Sequence, residues 1–313
     1  MKPVLLFVLF LVTTAAVAGV DKIRDYPLDQ VAEHTYVIHG PQGMPSPENQ
    51  GFMNNPAFVV TAGSVVVVDP GSSVQAGRLV VDKIKSVTDK PVTHVLSTHV
   101  HGDHWLGNQA IAEAWPKAVF YAHPAMIAKA NAGAAEFWIE LMDKLSGGYT
   151  RGTVALIPDQ VVDEGGQWQV GDLHFRFYAP PAAHSHTDVM IEVVEDSLLF
   201  TGDNVLYDRI PRMSDGTFKG SIAACDVAIG AGVEYYVPGH GPSGGVDRVQ
   251  AYKTYLSTLY NEVAALYEED MEAFEMKPLV VAKLAAFKDW SGFDDEVGKH
   301  TGQALLEVEA DAF

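Results

Sequence analysis

Hydrophobic and polar positions change period repeatedly along this chain, and each change predicts an element. Thr35 to His39, Ala57 to Thr61 and Val65 to Asp69 read as strands, closed or joined by Gly40-Pro41, Ala62-Gly63-Ser64 and Asp69-Pro70-Gly71. The third is almost continuously apolar, as expected of a strand covered on both faces. Val74 to Val87 switches to helical spacing, with Ala76, Leu79, Val80 and Ile84 on one side. A buried strand from Val92 to Leu96, a helix from Asn108 to Trp115 and a strand from Ala118 to Ala122 follow.

The pattern then starts again. Pro124 to Ser146 is helical up to the break at Gly147-Gly148. The strand pattern returns at Val161, with strands at Gln167 to Val170, Leu173 to Tyr178, Val189 to Val193 and Leu198 to Thr201. Ser221 to Ile229 reads as a short helix, Tyr235 to Pro238 as a strand and Val246 to Glu269 as a long helix. The rest is helical and acidic. Strands then helices, twice over and without a low-complexity linker, predict an α/β (α+β) chain. Its two similar halves pack as one domain, sheets inside and helices outside.

The head of the chain has a different pattern. Lys2, the apolar run Val4 to Val12 and Ala16-Val17-Ala18 form a basic head, an apolar core and a small-x-small cleavage site. Residues 1–18 are therefore expected to be a secretory signal peptide, leaving 19–313 as the folded domain. The apolar run is too short for a membrane span, so no stable membrane insertion is expected after cleavage. The expected location is periplasmic or secreted.

Charge narrows the partners. Asp and Glu number 40 against 21 Lys and Arg, a formal net charge of −19. Loss of Lys2 brings the mature chain to about −20. Such a surface repels nucleic acid and leaves a small molecule as the expected partner. Cys225 is the single cysteine, so no intrachain disulfide forms even in an oxidising compartment. It lies in an apolar run and reads as a core residue.

Candidate chemistry begins at Thr98-His99-Val100-His101-Gly102-Asp103-His104, an H-x-H-x-D-H pattern after a strand. His99 and His101 are two apart and point the same way in extended backbone. Asp103 and His104 diverge at a turn that Gly102 allows. One loop thus offers two pairs of metal ligands aimed at two points. Three later places repeat the design of a strand followed by a ligand-bearing loop. They are His184-Ser185-His186, Gly202-Asp203 and Gly239-His240-Gly241.

Taken together, H-x-H-x-D-H, His, Gly-Asp and Gly-His resemble the metallo-β-lactamase superfamily over about residues 30 to 245. The resemblance implies a four-layer αββα sandwich with a two-metal site at one edge of the sheets. Carried over, His99, His101 and His184 would hold one zinc, and Asp103, His104 and His240 the other. Asp203 would bridge them beside a shared hydroxide, and Asp103 and Asp203 are the carboxylates expected to take part in catalysis. Iron or manganese is admitted at one of the two positions. Asp69 resembles the family carboxylate that orients ligands. His184-Ser185 with Asp188 fits the pattern better than His186-Thr187, which leaves His186 behind the ligands or lining the pocket. The other histidines read as structural or surface residues.

The resemblance implies an exported binuclear zinc hydrolase acting on an ester, thioester or lactone. No Ser or Cys stands at a recognisable nucleophile elbow. Asp203 drives the choice of substrate, because β-lactamases of the family generally lack that bridging carboxylate. No Lys or Arg is expected beside the His240 loop to receive a β-lactam carboxylate, Arg248 being nearest in sequence. Two alternatives stand beside this one. The first is β-lactam hydrolysis. The second is a non-catalytic metal-binding accessory of a periplasmic redox system. The exported, Gly-His-Gly-containing pattern is also similar to periplasmic zinc hydrolases of quinoprotein relay and sulfur-oxidation systems. An apolar wall over the site is expected from Met44, Phe52 and Met53; Trp105 and the helix with Phe137, Trp138 and Met142 are candidates to join it, with ordinary core packing the favoured reading of the helix.

Overall fold

The valines of the strand Val65–Val68 sort by face. Val66 and Val68 enter the apolar layer between two sheets, and Val65 and Val67 pack under helices. This computed structural model describes residues 21–162 and 164–312. The segment 1–18, with its expected signal peptide, lies outside the described residues.

The first sheet runs in sequence order: β1 (Asp29–Gln30), β2 (Thr35–Val37), β3 (Ala57–Val60), β4 (Val65–Val68), β5 (Val92–Leu96), β6 (Val119–Ala122) and β7 (Gln160–Val161). β4 to β7 are parallel. The second sheet has the order β12-β11-β10-β9-β8. These are β8 (Gln167–Val170), β9 (Leu173–Tyr178), β10 (Met190–Val193), β11 (Leu198–Gly202) and β12 (Tyr235–Pro238). β11 and β12 are parallel.

Between the sheets lie Val66, Leu96, Phe175, Phe177, Ile191 and Phe200, among others. Each such burial stabilises the fold by about 2 kcal/mol. Helices cover the outer faces. α1 (Val74–Val87) and α3 (Asn108–Ala114) share the apolar layer behind the first sheet. α6 (Phe218–Gly230), α7 (Val246–Tyr267), α8 (Ala273–Lys283) and α9 (Phe293–Asp311) share the one behind the second. The order helix, sheet, sheet, helix is the expected αββα sandwich. No described helix is long and apolar enough to cross a membrane.

The expected helix over 124–146 is divided. α4 (Pro124–Lys129) and α5 (Ala135–Leu145) flank a π-type turn at Ala130–Ala134. Gly133 there has φ of 111°, a left-handed conformation that glycine adopts without side-chain strain. The helix α6 starts earlier than Ser221 because Thr217 caps it, its side chain accepting from the Gly220 N–H. The turn at Asp103-His104 is one short helix, α2 (Gly102–Trp105).

The C-terminal helices also fix a loop of the second sheet. His300 donates from Nε2 to the Pro211 carbonyl at 2.9 Å and accepts at Nδ1 from the Tyr255 hydroxyl at 2.8 Å. Gln303 donates to the Met213 and Gly216 carbonyls. Ser291 pairs with Asp208 and Ile210 through the backbone. The segment 208–216, between β11 and α6, is thereby held in place.

Candidate metal centre

Five chain segments deliver polar side chains to one edge of the sandwich. Asp69 follows β4, residues 98–104 follow β5, His184 lies between β9 and β10, Asp203 follows β11 and His240 follows β12. The parallel pairs β4/β5 and β11/β12 place four of these loops at the carboxyl ends of their strands.

The structure brings together all seven ligand candidates. His99, His101 and His184 have ligand atoms within 4.8 Å of one another, and so do Asp103, His104 and His240. A third group, His99, His104 and Asp203, joins the two. Nδ1 of His101 faces Nε2 of His184 at 3.0 Å, and Nε2 of His240 faces Oδ2 of Asp103 at 3.0 Å. Oδ2 of Asp203 lies 3.5 Å from Nε2 of His184 and 3.4 Å from Nε2 of His240. Asp203 therefore touches both three-residue groups.

Surrounding hydrogen bonds set which nitrogen His104 and His240 present. Oδ2 of Asp69 accepts from Nδ1 of His104 at 2.8 Å, and the same carboxylate accepts from the backbone N–H and hydroxyl of Thr98. His240 donates from Nδ1 to the Met53 carbonyl at 2.7 Å. Asp188 accepts from the N–H and hydroxyl of Ser185, beside His184. The expected orienting role of Asp69 matches this geometry.

Burial and mutual charge fix the protonation. Burial pushes the His184 imidazole down to about 3 and lowers His99 well below its usual value, so both are neutral. Burial opposes the charge on Asp103 and Asp203, yet neighbouring His104 and His240 outweigh it and hold both carboxyls well below the usual range. The same carboxylates overcome burial to raise His104 and His240. Metal binding would compete with protons at these groups.

The residues fit such cations. Nε2 of His99, Nε2 of His104 and Oδ1 of Asp203 are buried without a hydrogen-bond partner. Buried polar atoms rarely stay unsatisfied, and cations held by the two ligand groups would satisfy all three. Gly239 leaves the space free, because a Cβ there would come 2.1 Å from Oδ1 of Asp203 and 2.8 Å from Cε1 of His104.

A cavity of about 260 Å³ opens on the cluster. Met44 and Met53 line it, as expected, and so do Phe137 and Trp138, against the favoured reading of their helix as ordinary core packing. Phe52, Trp105 and Met142 do not; they are fully buried core side chains, and the Trp105 indole donates to the Val100 carbonyl. His186 is exposed and is not among the lining residues, because Ser185 and Thr187 on either side are turned inward.

Three charged lining residues escaped the sequence reasoning: Arg209, Arg212 and Asp215. Nε2 of His101 bonds Oδ2 of Asp215 at 3.0 Å, and Lys129 lies 3.5 Å from the same carboxylate. The His101 hydrogen bond holds the Asp215 carboxyl well below the usual range. The expectation that no cation stands beside His240 is overturned, because Arg209 shares its cavity. Distance along the chain misled here. The only available signal was a pair of arginines, Arg209-Ile210-Pro211-Arg212, in a basic-poor chain.

Comparison with known proteins agrees with this geometry. The family model described as Metallo-beta-lactamase superfamily matches residues 50–240. No curated protein matches the chain. Among solved structures, a metallo-beta-lactamase from Pontibacter korlensis is similar at 16% identity, with TM-score 0.60, over 74% of this chain and 99% of that one. A DIM-1 metallo-beta-lactamase exposed to ceftazidime is 15% identical, with TM-score 0.58, over 76% of this chain and 99% of its own. VMB-1 is 14% identical, with TM-score 0.57, over 77% and 99%. At these identities the likeness is one of fold.

Proposed function

The chain belongs to the metallo-beta-lactamase superfamily, and from that premise we propose that it is an exported, binuclear zinc-dependent hydrolase of esters, thioesters or lactones. One observation carries the proposal: Asp203 Oδ2 lies within 3.5 Å of histidine nitrogens from both ligand groups. His99, His101 and His184 would hold one ion, Asp103, His104 and His240 the second, and Asp203 would touch both. When bound, such ions acidify water and polarise a carbonyl oxygen. The protein's own part is orientation. Asp69, Asp215 and the Met53 carbonyl aim three of the rings, and Met44, Phe137 and Trp138 offer an apolar surface to the body of a small substrate.

Export rests on residues 1–18. The proposed likeness to quinoprotein relay and sulfur-oxidation hydrolases rests on that segment and the Gly239-His240-Gly241 loop. A purely structural metal site usually closes its coordination, whereas a cavity opens on this one, which favours catalysis over an accessory role.

A second reading, β-lactam hydrolysis, is favoured by Arg209 and Arg212, which are placed to receive a carboxylate. A hydrolysis screen of the zinc-loaded mature protein separates the two. Lactone, ester or thioester turnover is expected to exceed β-lactam turnover in kcat/KM at least roughly tenfold, about 1.4 kcal/mol of transition-state stabilisation. Efficient β-lactam turnover with negligible ester or lactone activity would replace the first reading with the second.

A further inference from the structure

Some cations of this acidic chain, Arg78, Arg176 and Lys219 among them, sit on carboxylates, and others do not. Among the described residues, neither Arg209 nor Arg212 is in an ion pair, although acidic residues outnumber basic ones 40 to 21. Both line the cavity that holds His101, Asp103, His184, Asp203 and His240. Arg209 donates from Nη1 to the Gly43 carbonyl at 3.1 Å, which fixes its guanidinium beside the segment that carries Met44. Its backbone bridges to Ser291, so the loop beneath it is fixed. Arg212 is exposed at the rim.

Apolar side chains share the lining: Met44, Phe137, Trp138, Leu141 and Leu145. Phe137 is 57% exposed and Met44 43%. The cavity thus offers both greasy surface and planar, multidentate donors suited to carboxylate. A neutral ester uses only the first.

We propose that Arg209 and Arg212 form a carboxylate subsite, and that the preferred substrate is a compact ester, thioester or lactone with an apolar body and a free carboxylate. This rests on the hydrolase reading above for its reaction, though not for its binding. Two 4-nitrophenyl esters of equal chain length, the butanoate and the hemisuccinate, share a leaving group and differ in that charge. The zinc-loaded mature protein should prefer the hemisuccinate in kcat/KM by roughly tenfold, mostly through KM, and Arg212→Ala should remove most of that preference. Arg209→Lys, which keeps the charge and loses the fork, should weaken it too.

Calorimetric titration with glutarate tests binding alone, and Arg212→Ala should weaken it roughly tenfold at equal zinc content. Equal glutarate affinity in both proteins overturns the proposal. So does loss of zinc from Arg212→Ala and Arg209→Ala, which would make the arginines counter-charges of the cluster. Arg212-dependent glutarate binding with neither ester hydrolysed would keep the subsite and sink the hydrolase reading.

Discussion

Nε2 of His101 meets Oδ2 of Asp215 at 3.0 Å across 114 positions of chain, which leaves Nδ1 of His101 to face His184. Partners of this kind orient a ligand ring and raise its basicity. Asp215→Ala is therefore expected to weaken zinc binding about 10- to 100-fold, read by competition with a chromophoric chelator. Asp215→Asn should fall between. Asp215 is only half-buried, so far-UV circular dichroism should not change. Unaltered zinc affinity in both variants would reduce the contact to a surface interaction.

Asp203 tests the count of metals. Elemental analysis of protein made in zinc-replete medium should find about two ions per chain. Asp203→Ala should hold fewer and lose hydrolysis while remaining folded. A wild-type protein that is fully active with one ion would defeat the binuclear arrangement.

Gly239 tests the space around that carboxylate. A methyl group at this position meets Oδ1 of Asp203 and the ring of His104. Gly239→Ala should therefore displace Asp203 and lower metal content much as Asp203→Ala does. Normal metal content would mean that the loop yields without disturbing the ligands.

His300 gives a pH dependence of stability remote from the metal residues. Burial lowers its imidazole to about 4, against an ordinary value near 6.5. Between these values the unfolded chain binds the extra proton, so stability rises with pH. The contribution is complete above about pH 6.5 and is lost as pH falls toward about 4. From pH 7 to pH 5 this residue should remove about 2 kcal/mol, measured by denaturant titration. His300→Gln should be less stable at neutral pH yet lack that part of the slope. Parallel slopes in the two proteins would contradict the assignment.

Export has its own measurement. Mass spectrometry of a periplasmic extract should find a chain beginning at Gly19, as Ala16-Val17-Ala18 directs. Recovery of the full-length chain in membranes would point to an uncleaved anchor.

The legible features of this chain were local ones. α1 and β12 have the bounds that apolar spacing predicts, because each buries a regular face. The histidines at 99 and 101 and the pair 103–104 could be read as ligands from spacing alone. The choice of His184 over His186 came from a resemblance, and burial separates them: His184 is inside and His186 is exposed. Arg209, Arg212 and Asp215 were illegible for a physical reason. They lie on an irregular loop whose position is set by Ser291, His300 and Gln303, contacts no local pattern encodes. The break at Gly133 was equally hidden, since a glycine amid alanines reads as tolerated within a helix.

The helix that carries His300 and Gln303 lies beyond residue 240, where the match to the family ends. The parts that hold the ions and the part that steadies the arginine loop are thus inherited from different stretches of one gene. Drift in the tail can retune which molecules are admitted while every ion-holding loop stays unaltered. Libraries aimed at new selectivity belong between Ser291 and Gln303, where substitutions shift the guanidinium groups from behind.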